Sequence, residues 1–567
     1  MEIQKDIHNN KLRKRLLIIS IFFYLFFSII LIKACHVQIY KGKWLSSEAS
    51  KQYLKNYKFP GKRGTIYDRK KNEMAVTIDS YSVFSHPNNV TNIQKTAKSI
   101  SKILHLDKQE IINKLESDKK FVWIKRIIMP SQARLIKSLN IKGIYVTLEP
   151  GRVYPSRSLC SQVIGFTGID SNGLEGIEYY YNDRLMGREV YNTLKKDAFG
   201  RSFSLPNKIA HEIHGSHIVL TIDQNIQYLT EKVLKETVIK NSAKSAIAIV
   251  MVPYTGEILA IAHYPTFNPN NYLDYDRFLW RNRAITDSFE PGSTMKIFVA
   301  ASALESGKCD SNSLFYCENG SYQIGKKVFT DSKPHSWLSL KQIIKYSSNI
   351  GAIKLGEFIG SNYLYNMLTK FGFGSKTGID CPGEIAGSLI PVQNWSIVDK
   401  GAISFGYGIS VSSIQLISAA CVIANNGVYM KPYLVKSILD YKGDKLFDIY
   451  PQKLRQVISV YTAKAMREIM KAVVEKGGTG ELANLSDYSV CGKTGTANKL
   501  DSDGTYSTTK HFASFLGFAP ADKPEIVILV VVDEPQKEVY GGKVAAPAFK
   551  KIAYGTLNYL NILSDKQ

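Results

Sequence analysis

Between Leu16 and Ile32 the chain carries an apolar run broken only by Ser20 and Ser28, close to the minimum length for a helix that crosses a bilayer. Lys11, Arg13, Lys14 and Arg15 precede it. The pattern predicts a cytoplasmic tail over 1–15, a transmembrane helix over 16–35 and everything later outside the cell membrane. Lys41, Lys43, Lys51, Lys55 and Lys58 make the outer flank basic too, but a long outer segment translocates regardless of charge. No small-x-small cleavage site follows the run, which favours a single-pass, uncleaved anchor over a signal peptide. Ile32-Lys33-Ala34-Cys35 looks slightly like a lipoprotein processing site, and Lys33 argues against it.

From 36 to about 220, short strand-like pieces alternate with turns, and one stretch from Ile93 to Leu139 has apolar residues at helical spacing. Nothing in this half has the makings of an active site; it reads as a positioning or docking module. After Thr221-Ile222-Asp223 the character changes. An Asp-led helix is expected, then two apolar runs, Ser245 to Val252 and Glu257 to His263, joined as a hairpin through Pro253-Tyr254-Thr255-Gly256. Helical spacing dominates to about 475. Strands then return around Lys493, over Phe512 to Phe518 and over Ile526 to Val532, and a last helix is expected from Ala546 to Leu563. Strands first and last with helices between predict an α+β domain over 221–567: one antiparallel sheet built from both ends and covered by helices on both faces.

Composition narrows the class without naming a reaction. Hydrophobic residues make up 44% and charged residues 22%, a globular balance. The net charge of +24 suits an anionic neighbourhood such as a phospholipid surface, and no zinc-finger or RNA-binding signature accompanies it, so nucleic acid is not an expected partner. Seven cysteines and ten histidines are scattered without metal-ligand spacing, so neither a metal nor another cofactor is expected. Cys309 and Cys317 can be read either as a loop-closing pair or as two separate thiols.

Candidate chemistry centres on Phe289-Glu290-Pro291-Gly292-Ser293-Thr294-Met295-Lys296. Pro291 and Gly292 read as a turn into a helix starting at the serine. Ser293 and Lys296 then project from one face, a plausible nucleophile and base. Ser99 with Lys102 and Ser117 with Lys120 have the same spacing, so the pair alone proves little. Ser347-Ser348-Asn349 adds a hydroxyl and an amide, although a helix cap is the commoner use of such residues. Cys491-Gly492-Lys493-Thr494-Gly495-Thr496-Ala497 reads as a strand whose glycines let a ligand approach closely. Lys376-Thr377-Gly378 repeats the triplet in a turn-like setting and is set aside.

Together these stretches resemble one family. Ser-x-x-Lys, Ser-x-Asn and Lys-Thr-Gly in that order form the signature of penicillin-binding proteins and serine β-lactamases. Arg63-Gly64-x-Ile66-x-Asp68-Arg69, Arg152-x-Tyr154-Pro155, Gly173-Leu174-Glu175-Gly176-Ile177-Glu178, Ser404-Phe405-Gly406-Tyr407-Gly408 and Gln415 are similar to class B penicillin-binding proteins. His511 to Pro520 and Gly541 to Phe549 resemble their division-specific group (penicillin-binding protein 3, FtsI). The resemblance implies an anchor, a pedestal or dimerisation domain over 36–220 and a transpeptidase domain over 221–567, facing the periplasm from the inner membrane.

It also implies roles. Ser293 attacks the D-Ala-D-Ala carbonyl of a peptidoglycan stem peptide and Lys296 takes its proton. Ser347 relays a proton to the leaving amine beside Lys493, Asn349 holds the peptide and Lys296, and Thr494, Gly495 and Thr496 bind the terminal carboxylate. The implied partners are stem peptides and nascent glycan, a lipid-II polymerase of the SEDS family and other divisome membrane proteins, with β-lactams as covalent inhibitors. An elongation-specific transpeptidase, a β-lactamase or D,D-carboxypeptidase, and an anchored scaffold or sensor are the competing readings.

Overall fold

The computed structural model describes residues 2–59, 61–187, 190–195, 213–501 and 503–566. The chain divides into two compact units, residues 1–61 with 188–213, and residues 62–187 with 214–567. In the first unit a helix spans Glu2–Cys35, so helical structure continues through the basic segment predicted as a tail; lysine and arginine are good helix formers. Within Lys14–Tyr40 an 18-residue window has a mean hydropathy of 2.6, and the helix is long and apolar enough to cross a membrane. In the same unit Leu54–Phe59 pairs antiparallel with Val190–Lys195.

In the second unit, the segment read as one helical region is three helices interrupted by a strand: Ile93–Leu104, Lys108–Leu115, Val122–Ile128 and Pro130–Ser138. Local chemistry explains the breaks. Asn92 and Asp107 accept from backbone N–H groups three residues on and so cap new helices, and His105 closes the first in a left-handed conformation. The helices bury Ala97, Ile100, Leu104, Ile111 and Ile136 against Val83 and Ile124 of the sheet. That sheet has seven strands, with Ile66–Tyr67 running parallel to His217–Leu220 and Ile144–Val153 pairing with Glu73–Ser85.

Three motifs far apart in sequence meet beneath this sheet. The buried Glu178 carboxylate receives Arg63 Nε at 2.5 Å and Arg152 Nε at 2.6 Å, and Tyr154 donates to it at 3.3 Å. Arg63 also donates to the Asn182 side chain and to the carbonyls of Ser171 and Glu178. Burial alone would raise the Glu178 pKa, but the two guanidinium groups outweigh it and the net shift is downward.

The second sheet is the antiparallel one expected from both ends of the domain. Its order is Cys491–Leu500, Tyr506–Ala519, Ile526–Asp533, Ser245–Met251, Ile258–Tyr264. One row crosses it as Lys493, Leu516, Leu529, Ile249 and Ile261. Side chains alternate between two cores. Ala248, Val250, Ile528 and Val530 pack with Leu234 and Phe549 of the helices Gln224–Asn241 and Gly541–Tyr559, whereas Ile249, Leu529 and Val531 pack with Ile414 and Ile417 of Ser413–Ala424. Burial on both faces explains the unbroken apolar run at 526–532. The closing helix begins five residues before its expected start because Gly541 lies against the sheet: a Cβ there would stand 2.2 Å from the Ser514 carbonyl oxygen.

Candidate active site

Pro291 and Gly292 bring the chain out of a short strand, Ser288–Phe289, into a 3₁₀ turn at Gly292–Met295, and the α-helix starts only at Lys296. The expected helix start at Ser293 is therefore a tighter turn, closed as the Thr294 hydroxyl donates to the Pro291 carbonyl at 2.7 Å. Residues three apart eclipse in a 3₁₀ turn, which puts Ser293 and Lys296 on one side of the chain, although the Lys296 amine bonds to Ser347 and Asn349 rather than to Ser293. Gly292 has φ +53°, and a Cβ on it would lie 2.8 Å from the Thr496 carbonyl oxygen, so the turn is seated on the Lys493 strand. Ser293 is half-buried, and among the described residues its hydroxyl has no hydrogen-bond partner.

Lys296 is fully buried and donates to the Ser347 carbonyl at 2.5 Å, to Asn349 Oδ1 at 2.7 Å and to Ser347 Oγ at 3.3 Å. Lys493, equally buried, donates to Ser347 Oγ at 2.8 Å and to the Thr494 carbonyl at 3.0 Å. The Ser347 hydroxyl thus bridges the two amines. Among the described residues these are the two buried lysines, which separates Ser293 from its look-alikes at Ser99 and Ser117.

Ser347 and Asn349 are aimed by the break between two helices. Ser347 closes Leu340–Tyr346 with φ +60°, and Ser348 caps Asn349–Ile359 by accepting from Gly351 N at 2.9 Å. The cap and the site thus use neighbouring residues of one tripeptide. Asp331, which the sequence reading missed, holds that break: it accepts from Ser348 Oγ at 2.5 Å and from the backbone N–H groups of Asn349 and Ile350. Nothing in its spacing marks it, since it reaches the site from a loop.

The strand Cys491–Leu500 places Lys493 and Thr494 along the cleft. Thr494 donates to Thr479 Oγ1 at 3.0 Å, and Thr496 Oγ1 accepts from Gly541 N at 3.1 Å. A side chain at Gly495 would meet Ser514 Oγ at 2.2 Å and Thr294 Cγ2 at 2.9 Å. Thr479 was not singled out either, and Glu290 and Gly541 stand in quoted stretches with no role at the site assigned to them. Glu290 accepts from Gly408 N at 2.8 Å and from the Tyr506 hydroxyl at 3.0 Å, tying the Gly406 to Gly408 loop to the nucleophile turn. All seven cysteine thiols are free, Cys309 and Cys317 included.

Burial pushes the Lys296 amine down to about 7, with the Asp331 charge opposing the shift. Burial first, and the neighbouring Lys296 charge second, push Lys493 well below the ordinary lysine range. For each amine the larger cause is loss of water, so near neutral pH the pair holds fewer than two positive charges.

A cleft with an unpartnered serine hydroxyl, an amine kept partly neutral and a second lysine on an adjoining strand is the equipment of acyl transfer through a serine ester. Comparison with known proteins identifies which acyl transfer. Residues 246–554 match the penicillin binding protein transpeptidase domain, and residues 58–220 the penicillin-binding protein dimerisation domain. The chain is 35% identical to stage V sporulation protein D of Bacillus subtilis, covering 98% of this chain and 87% of that one. It is 31% identical to peptidoglycan D,D-transpeptidase FtsI of Escherichia coli, with 93% and 89% covered. The fold is similar to the crystal structure of penicillin binding protein 3 from Mycobacterium tuberculosis in complex with aztreonam, at a TM-score of 0.71 and 26% identity over 90% of this chain and 98% of that one. The chain belongs to the class B penicillin-binding proteins, the peptidoglycan D,D-transpeptidases.

Proposed function

We propose that this transpeptidase cross-links stem peptides of the septal wall during division, anchored by its first helix with the tail of residues 1–15 in the cytoplasm. On this reading residues 36–220 form a pedestal and 221–567 the transpeptidase domain. The bridge from Lys296 through Ser347 Oγ to Lys493 supports the chemistry of the proposal, because it supplies a ready path for two proton transfers, and the likeness of His511–Pro520 and Gly541–Phe549 to the division-specific group supports its septal part. Ser293 attacks the carbonyl between the terminal D-alanines, and neutral Lys296 takes its proton. Backbone N–H groups of Ser293 and Thr496 receive the oxyanion, and Asn349 holds the peptide amide. Ser347, with Lys493 behind it, passes a proton to the departing D-alanine amine. The terminal carboxylate lies along Thr494, Gly495 and Thr496, and an amine from a neighbouring stem resolves the ester. A lipid-II polymerase of the SEDS family and other divisome membrane proteins are the assembly partners this reading calls for.

A base that works only when neutral sets the pH dependence. With Lys296 at about 7, penicillin acylation should climb as pH rises through 7 and level off above about 8. A flat profile from pH 6 to 8.5 would remove Lys296 from proton transfer. The reaction itself is tested by the lifetime of the penicilloyl adduct on the full chain. Persistence for hours fits a transpeptidase, and sub-second turnover would make the protein a β-lactamase. Fluorescent penicillin on this protein should mark the division plane, and a lateral-wall pattern would assign it to elongation instead.

A further inference from the structure

The triplet Lys376-Thr377-Gly378, set aside as a look-alike, holds a carboxylate of its own. Thr377 donates to Glu384 Oε1 through its N–H at 2.5 Å and its hydroxyl at 2.6 Å, and Gly378 N–H donates to Oε2 at 3.1 Å. Beside it opens a cavity of about 350 Å³ whose lining includes Lys370, Ser375, Lys376, Tyr429 and Arg455. The buried Tyr429 ring forms its floor, with the Arg455 guanidinium carbon 4.4 Å from the ring centroid. Arg455 Nε donates to the Lys370 carbonyl at 2.7 Å, which holds the guanidinium against that wall. Among the described residues no carboxylate stands within 4.0 Å of Lys370, Lys376 or Arg455. Glu384 is the acidic neighbour, and both its oxygens are already engaged.

Three cations in no ion pair among the described residues, around an aromatic floor and beside a single carboxylate whose oxygens are engaged, make a receptor for a small organic anion. Arginine stacked on a ring keeps its remaining N–H groups directed outward, where they match a carboxylate bidentately. The volume is at the lower end for small-molecule pockets and suits one or two amino-acid residues. We propose that this cavity binds a short peptide carrying two free carboxylates, of the stem-peptide class, as a holding site that uses none of the catalytic residues. The identity of the peptide rests on the proposed function; the anion site rests on its own geometry.

The test is calorimetric titration of the full chain in detergent after reaction with penicillin, which fills the catalytic cleft and leaves the cavity as the remaining peptide site. A soluble stem tetrapeptide, the same peptide amidated at its carboxylates, and inorganic phosphate are the three probes. Expected are saturable binding of the free-acid peptide and at least tenfold weaker binding of the amidated one. A tenfold loss is also expected in a Lys370→Ala/Lys376→Ala background, whose exposed side chains are removed without touching the core. Binding that survives this double substitution, or no binding at all, overturns the proposal. Saturation by phosphate without peptide binding overturns the peptide assignment. Penicillin acylation of the double variant should match wild type, and a failure of the proposed function would appear there and in the adduct lifetime rather than in the titration.

Discussion

Replacing Ser293 with alanine is expected to abolish covalent labelling of the full chain by fluorescent penicillin, a fall in acylation rate of about 10⁴-fold or more. The size follows from the geometry. The other hydroxyls in the cleft are engaged: Ser347 is held from both sides by Lys296 and Lys493, Thr494 donates to Thr479, and Thr496 accepts from Gly541 N–H. Ser293 is free to approach a carbonyl, being half-buried and without a partner among the described residues. Removing one oxygen from a half-exposed position leaves packing intact, and the melting temperature should hold. Ser99→Ala, at the look-alike spacing, should label as wild type does. Labelling of the Ser293→Ala chain at the normal rate would remove the nucleophile from this assignment.

Glu178→Ala is the second large effect, on stability rather than chemistry. It would leave the buried guanidinium groups of Arg63 and Arg152 without their shared carboxylate. Breaking a buried pair from one side costs about 3–5 kcal/mol, far above a surface ion pair. Because the Glu178 pKa is lowered on folding, its stabilisation is fully present above the unfolded value of about 4.3 and is lost as pH falls through the depressed folded value. Thermal unfolding of the full chain at neutral pH reads the loss directly. A melting temperature unchanged in Glu178→Ala would mean that the cluster contributes nothing net.

The candidate site was more legible in the sequence than the scaffolding around it. Ser293, Lys296, Ser347, Asn349 and Lys493 are readable because each sits in a short motif whose spacing follows from a turn or a strand. The five-stranded sheet is readable for a related reason, since alternation and apolar runs are local properties. Asp331, Thr479, Glu290 and Gly541 act through tertiary contact with backbone or hydroxyl groups, and such contacts leave no periodic trace. Arg63, Arg152 and Glu178 lie between. Each was noticed within a motif, but their convergence on one carboxylate depends on how strands far apart in sequence pair. The helix starts at Lys296 and Gly541 differ from expectation where glycine packing overrides propensity.

The strand order has a bearing on how the protein is made. A chain synthesised from its N-terminus presents Ser293 and Lys296 about 200 residues before Lys493. The early strand Ser245–Met251 pairs on one side with Ile258–Tyr264, made directly after it, and on the other with Ile526–Asp533, the last strand of the sheet to be made. The Lys493 strand at the edge is joined to it only through Tyr506–Ala519 and Ile526–Asp533, both made later. Products truncated before Ile526 therefore carry Ser293 and Lys493 without the strand that ties the two sides of the sheet together.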